Sequence, residues 1–321
     1  MCFSAQVWAD YRKYTKAYGA TISIREFLQL LQRRDAGERI ILPKGLTDAF
    51  KATPDSDEAE QCRDLVLAFE AAETARTETD LFALRRRLAD AERILAVKPT
   101  KKAGEDQRIA GNKIKRALAK LDDLKRNDHL DRDDRVYAGS YCPVMVRDAA
   151  GQLVVRPMRY QCRPAGMPAA FDKKYPGLYN ARRDNLSGFW KNVYAHTHAI
   201  VVAEAFLEHV DRHRLEGRAL APGEEAQDVV IQFAPGDGQL MHLACLWSHW
   251  TGRDEPDLLS FALVTDEPPE EVAMAGHDRC PIPLRPVAVN AWLDAPAPAD
   301  YQALLDERER PYYAHQLAAA A

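Results

Sequence analysis

The chain has 321 residues, 46% of them hydrophobic and 29% charged, with a formal net charge of −4. That is enough chain for one large core or two modest ones, and no apolar run approaches the ~18 residues of a membrane helix. The opening MCFSAQVWADYRKY is not a signal peptide, lacking a basic segment before an apolar one, and the charge gives no overall pull toward nucleic acid, so any such binding rests on local basic patches.

Residues 1 to about 20 are aromatic and mixed, and the stretch to about residue 50 carries the helix-like IREFLQLLQRR. Pro54, Asp55 and Ser56 supply a helix start. From Glu58 to about Ala96 strong helix formers run without Gly or Pro. Leu81, Leu84, Leu88, Ala91 and Leu95 step by three and four, an apolar seam. KPTKKAG (98–104) breaks the pattern, and a second run puts Ile114, Leu118 and Leu121 on one face. Two such helices around a short break form an antiparallel hairpin over about 57–127. After Arg135 the texture changes. VMVRDAAGQLVVRPMRY reads as two strands around an Ala-Gly turn, and HAIVVAEAF, VVIQFA, LMHLACLW and LLSFALVT as further strands. The tail from Tyr301 reads as a short helix with a fraying Ala-rich end. The class is α+β with a mostly-β body, and no βαβ rhythm is present.

Four stretches carry chemistry. Removal of Met1 would leave Cys2 with an amine and a thiol on adjacent carbons. The amine, with a pKa of about 7.7–8.0, keeps a reactive neutral fraction near pH 7. It can form an imine with an aldehyde, and the thiol can close a thiazolidine. In LYNARRDNL (178–186), Asn180 can hold a carbonyl or hydroxyl, and Arg182 and Arg183 suit phosphate; the same residues fit a solvated loop. In AIVVAEAFLEHV (199–210), a buried strand leads to Glu204 and Glu208, either a desolvated acid/base or solvated carboxylates at a strand exit. In AGHDRCPIPL (275–284), His277 is either a proton shuttle or a structural histidine. The cysteines, Cys2, Cys62, Cys142, Cys162, Cys245 and Cys280, form no CxxC pair and no secreted disulfide framework, so a reducing cytoplasm is expected. His242, Cys245 and His249 have metal-like spacing, but on a strand those offsets split the side chains between faces; no metal and no cofactor is expected. The pair His196 and His198 is equally consistent with surface residues.

Taken in order, these stretches resemble the SOS-response-associated peptidase family, whose SRAP domain crosslinks abasic sites. MC opens the chain. MRYQCRP (158–164) stands where the family has a Met-Arg-Trp-Gly-Leu-Val-Pro-like segment, NAR (180–182) follows, AFLEHV (205–210) is similar to Gly-Phe-Tyr-Glu-Trp, and HDRCPIPL (277–284) to His-Asp-Arg-Met-Pro. LACLW (243–247) and SFALVT (260–265) resemble two family strands. The resemblance covers residues 1–15 and about 134–295. It implies a barrel-like sheet with a few helices as the catalytic core, residues 1–20 and 134–321, with 21–133 as a helical insertion absent from compact members. It implies Cys2 as nucleophile, Asn180 positioning the sugar or the cysteine, Glu208 as acid/base, His277 assisting ring opening, and Arg182 contacting phosphate. Phe3-Ser4 stands where the family has Gly-Arg, so one phosphate-binding arginine is missing, and Arg183 or Arg12 is expected to compensate. Tyr160-Gln161 replaces Trp-Gly.

The function so implied is covalent capture of abasic sites in single-stranded DNA through a Cys2 thiazolidine, with removal of the chain's own N-terminus. Alternatives are an N-terminal-cysteine peptidase or amidase and a non-catalytic interaction protein acting through the hairpin. The expected partner is abasic single-stranded DNA, with a protein partner for the hairpin and no membrane. The chain is expected to be a monomer in the cytoplasm, at the nucleoid when acting.

Overall fold

The computed structural model describes residues 4–194, 196–253, 255–294 and 298–318. The strands are β1 (Ser4–Val7), β2 (Thr21–Ile22), β3 (Arg135–Tyr137), β4 (Tyr141–Arg147), β5 (Leu153–Tyr160), β6 (Asn180–Arg182), β7 (His198–Asp211), β8 (Asp228–Pro235), β9 (Met241–Gly252), β10 (Glu255–Asp266), β11 (Cys280–Pro281), β12 (Pro283–Leu284) and β13 (Tyr313–Leu317). The long helices are α4 (Asp57–Val97) and α5 (Lys101–Lys125), preceded by α1 (Arg12–Tyr18), α2 (Ile24–Asp35) and α3 (Lys44–Phe50). The chain divides into two units, one of Met1–Ala52 with Leu130–Ala321 and one of Thr53–His129.

The first unit is built on one mixed sheet. β7 pairs with β9, β9 with β10, β10 with β5, β5 with β4, and β4 returns to β7. That closed path makes the sheet barrel-like and leaves its central strands without a free edge. The β4–β5 hairpin turns where the sequence places it: Asp148 Oδ1 accepts from the amides of Ala150 and Gln152 at 2.9 and 2.8 Å, and Gly151 takes φ +78°, open to glycine at no steric cost. Alternate residues of these strands, among them Val144, Val146, Met158, Val201, Leu243 and Phe261, fill one apolar cluster. Each such side chain contributes roughly 1.5–3 kcal/mol on burial.

Two boundaries differ from the sequence reading. Residues 21–52 group with the sheet rather than with the helices: β2 pairs in parallel with β5, Thr21 opposite Val154, and α2 buries Phe27, Leu28, Leu30 and Leu31. The tail does not stop at a helix. After the helix Pro298–Asp306 the chain re-enters the sheet as β13, antiparallel to β8 with Tyr313 opposite Pro235 and Leu317 opposite Ile231.

The second unit is the helical hairpin. Ser56 caps α4 by accepting from the Ala59 amide, and Thr100 caps α5 by accepting from Ala103, both at 3.2 Å. The break is therefore 98–100, and Gly104 lies inside α5. Within 81–95 the residues shielded from solvent are Leu81, Leu84, Leu88, Ala91 and Leu95, the seam read from the sequence. On α5 the seam runs through Ala103, Ala110, Ile114, Ala117 and Leu121, while Leu118 is 39% exposed; small residues at these positions let two long helices approach closely. Lys120 with Glu73, Arg87 with Asp106, and Lys125 with Glu78 at 3.6 Å tie one helix to the other.

Candidate functional site

Glu208 owes its position to an irregularity in β7. Along the first half of that strand Ala199, Val201 and Ala203 face the main apolar cluster; further on, Phe206 and Val210 do. The change of parity falls where β7 meets β1, whose register runs Ala5 to Phe206, Gln6 to Ala205 and Val7 to Ala203. Glu204 is the extra residue of this bulge. It is half-exposed and accepts from Gln6 Nε2 at 3.0 Å. Without the bulge, period-two alternation would turn residue 208 away from the cluster. With it, Glu208 lies on the same face as Phe206 and Val210 and is 0% exposed.

His277 is delivered by a helix end. The helix Glu270–Met274 terminates with the Gly276 amide bonding Ala273 O at 2.9 Å and the His277 amide bonding Val272 O at 3.2 Å, the double closure of a Schellman cap. Gly276 has φ +95°, and a Cβ there would press on Arg214 at 2.9 Å, so both backbone and space require glycine. The residue after it is thrown inward: His277 is 9% exposed, and its Nε2 lies 3.2 Å from Glu208 Oε2. Burial lowers the His277 pKa below its usual 6.5, which favours the neutral ring, while the hydrogen bond to the Arg279 carbonyl and the charge of Asp278 pull the other way. Nδ1 lies 2.9 Å from Arg279 O and 3.3 Å from the Arg279 amide. Two proton arrangements therefore suit a neutral ring. Nε2–H donates to the Glu208 carboxylate while Nδ1 accepts from the Arg279 amide, or Nδ1–H donates to Arg279 O while Nε2 accepts from a protonated Glu208. The two arrangements differ by one proton, so the pair can take up or release a proton without moving either side chain, as acid–base work at one locus requires.

The NAR segment reaches this locus through β10. β6 runs parallel to β10, Asn180 opposite Leu263 and Arg182 opposite Thr265, and β11 pairs with the same strand, Thr265 opposite Pro281. Arg182 and Pro281, four residues past His277, thus flank one residue of β10. Asn180 is buried, 6% exposed. Arg182 is exposed and paired to Asp184 at 2.5 Å; Arg279, beside His277, also helps hold the Asp184 carboxyl below its usual range after the dominant effect of Arg182. Arg183 points elsewhere: it bonds Asp266 at 3.2 Å, Asp306 at 2.5 Å and Gln302 at 3.2 Å. Arg12 is likewise occupied by both oxygens of Asp10, at 2.8 and 2.7 Å.

A cation absent from the sequence reading stands at the start of β1. Arg135, on β3, donates from Nε to Ser4 Oγ at 3.1 Å and lies over the Tyr137 ring at 4.8 Å. Burial lowers its pKa, and no carboxylate pairs with it among the described residues. No local pattern announces a pair separated by 131 positions. Cys2 lies outside the described residues; Ser4, two positions on, sits opposite Leu207, next to Glu208.

The metal-like spacing on β9 resolves into other bonds: His242 contacts Tyr18 Oη, and Cys245 Sγ donates to Leu243 O at 3.3 Å. His198 is no surface residue. It is 3% exposed, stacked on Trp292 with ring centroids 4.0 Å apart.

A model of the SOS response associated peptidase (SRAP) family matches residues 106–320. Among solved structures, a protein from Bordetella bronchiseptica is 19% identical with a TM-score of 0.46, over 58% of this chain and 88% of its own. A protein from Bacteroides thetaiotaomicron is 14% identical with a TM-score of 0.46, over 57% of this chain and 76% of its own. A phage-related protein from Bordetella bronchiseptica is 16% identical with a TM-score of 0.44, over 57% and 80%. No curated protein matches the sequence.

Proposed function

The chain belongs to the SOS response associated peptidase (SRAP) family, and from that membership and the Glu208–His277 contact we propose that it captures abasic sites in single-stranded DNA covalently through Cys2. The observation that carries the reading is a fully buried carboxylate 3.2 Å from a buried imidazole, on the strand that pairs with β1. Ser4, two residues after Cys2 in the chain, is in register with the neighbour of Glu208.

The chemistry balances as follows. Hydrolysis of the Met1–Cys2 bond frees the Cys2 amine. The abasic sugar opens to an aldehyde at C1′. The neutral amine adds to that carbon, and the carbinolamine loses water to give an imine. The thiol sulfur then bonds to the same carbon while its proton goes to the nitrogen, closing the thiazolidine with one water released overall. Glu208 and His277 donate and retrieve the protons for ring opening and water loss. Asn180 positions the sugar or the cysteine. Arg182 holds phosphate, aided by Arg279 and by Arg135, which supplies a cation where Ser4 replaces the family's arginine. Arg183 could join them only by releasing Asp266 and Asp306. Preference for single strands follows because a stacked duplex hides C1′. Intact mass spectrometry tests the reading: the adduct should equal the chain without Met1 plus the abasic oligonucleotide minus one water. A product retaining Met1, or none, would overturn it.

A further inference from the structure

The segments on either side of β6 carry an exposed aromatic surface that the capture chemistry does not use. Upstream, the short helix Phe171–Lys174 and Tyr175 place two rings 4.4 Å apart. Downstream, Phe189 lies nearly parallel to Phe171, 3° between planes and 6.3 Å between centroids. Tyr175 is 42% exposed and Phe189 40%. Both positions are built. Asn185 Oδ1 accepts from the Phe189 amide at 3.1 Å, and a Cβ on Gly188 would collide with that same oxygen. On the other side Gln161 Nε2 donates to Asp172 O at 3.3 Å.

The charge around the rings is positive. Lys173, Lys174 and Lys191 are exposed and make no ion pair among the described residues, with Lys174 Nζ 5.3 Å from the Tyr175 ring. Of the acids in these segments, Asp172 is turned inward to Arg159 at 2.8 Å and Arg163 at 2.5 Å, and Asp184 is paired to Arg182 at 2.5 Å. Aromatic faces interleaved with unpaired cations match bases and phosphates of an unpaired strand. We propose that Phe171, Tyr175 and Phe189, with Lys173, Lys174 and Lys191, form a platform on which bases of single-stranded DNA flanking the captured site stack. This rests on the single-strand reading above, but its test does not require an abasic site.

The probe is a fluorescent oligothymidylate of about 12 nucleotides, within the span of a typical single-strand site, lacking any lesion. The double variant Tyr175→Ala/Phe189→Ala should bind it at least about tenfold more weakly than wild type, with an unchanged melting temperature. Tyr175→Phe should bind as wild type does. Lys173→Ala/Lys174→Ala should flatten the dependence of log Kd on log salt by about 0.7 per lysine. Should the double variant be destabilised, Tyr175→Ala alone carries the test. A change below about twofold in every ring variant, or no binding by wild type, overturns the platform. Loss of oligothymidylate binding in the ring variants without any abasic adduct in wild type keeps the platform and removes the capture chemistry; normal adducts with normal binding in the variants do the reverse.

Discussion

Acid should weaken the fold through His198. Its Nδ1 and Nε2 lie 2.9 and 2.6 Å from the carbonyls of Trp292 and Tyr194, and Trp292 Nε1 in turn donates to Ala199 O at 3.1 Å. The ring thus fastens the C-terminal segment to the start of β7. Burial pushes its pKa from 6.5 down to about 4, against the pull of both carbonyls. In the unfolded chain the imidazole protonates as pH falls below 6.5, while the folded protein resists down to about 4. Stability is therefore fully present above 6.5 and is lost progressively as pH falls toward 4. At about 1.36 kcal/mol per pH unit, the window is worth about 3 kcal/mol, most of which is lost by pH 4.5. Urea denaturation of wild type and His198→Gln at pH 7.5 and 4.5 isolates this residue, because every other titrating group is common to both. Wild type should lose roughly 2–3 kcal/mol more than the variant between the two pH values. Equal losses would refute the reasoning and mean that the two carbonyls keep the imidazolium satisfied inside the fold.

Other outcomes follow from the site. Glu208→Gln and His277→Ala should each slow adduct formation or reversal by about 10²–10⁴-fold in single-turnover assays, and a change under about threefold in both rates for both variants would remove them from the chemistry. Arg182→Ala should weaken binding of abasic single strands at low salt and reduce the log–log salt slope by about 0.7; an unchanged slope would mean that Asp184 keeps the guanidinium. Replacing residues 53–129 with a Gly/Ser linker should leave capture of a short oligonucleotide within about threefold of wild type, because α3 lies against the turn Asp131–Asp134, where a Cβ on Gly45 would overlap the Asp134 carboxylate. Abolished chemistry in a folded deletion would place the hairpin in the site.

What the sequence disclosed was local. The Ser56 cap, the α4 seam and the Asp148–Gln152 turn each depend on residues within a few positions of one another, so composition and spacing reveal them. The α5 seam was misread at Leu118 because hydrophobicity ranks leucine above alanine, whereas close helix packing selects Ala117. β13 was missed because YAHQL has no strand signature of its own; its pairing with β8, some eighty residues upstream, makes it a strand. Assignment of 21–52 to the insertion failed for the same reason, since β2 finds its partner at Val154. Within the site, Glu208 and His277 stood out by resemblance, but their contact depends on the bulge at Glu204 and the cap at Gly276. Of the two, only Gly276 shows in the sequence. Arg135 escaped notice because nothing near it in the sequence points to Ser4.

The most direct test of covalent capture through Cys2 is denaturing electrophoresis of the protein mixed with an abasic single-stranded oligonucleotide, wild type beside Cys2→Ala and Cys2→Ser. Wild type should give a denaturant-stable band with abasic but not intact DNA, Cys2→Ala none, and Cys2→Ser only a band that needs borohydride to trap its imine. A stable band of wild-type intensity from Cys2→Ala would contradict the account.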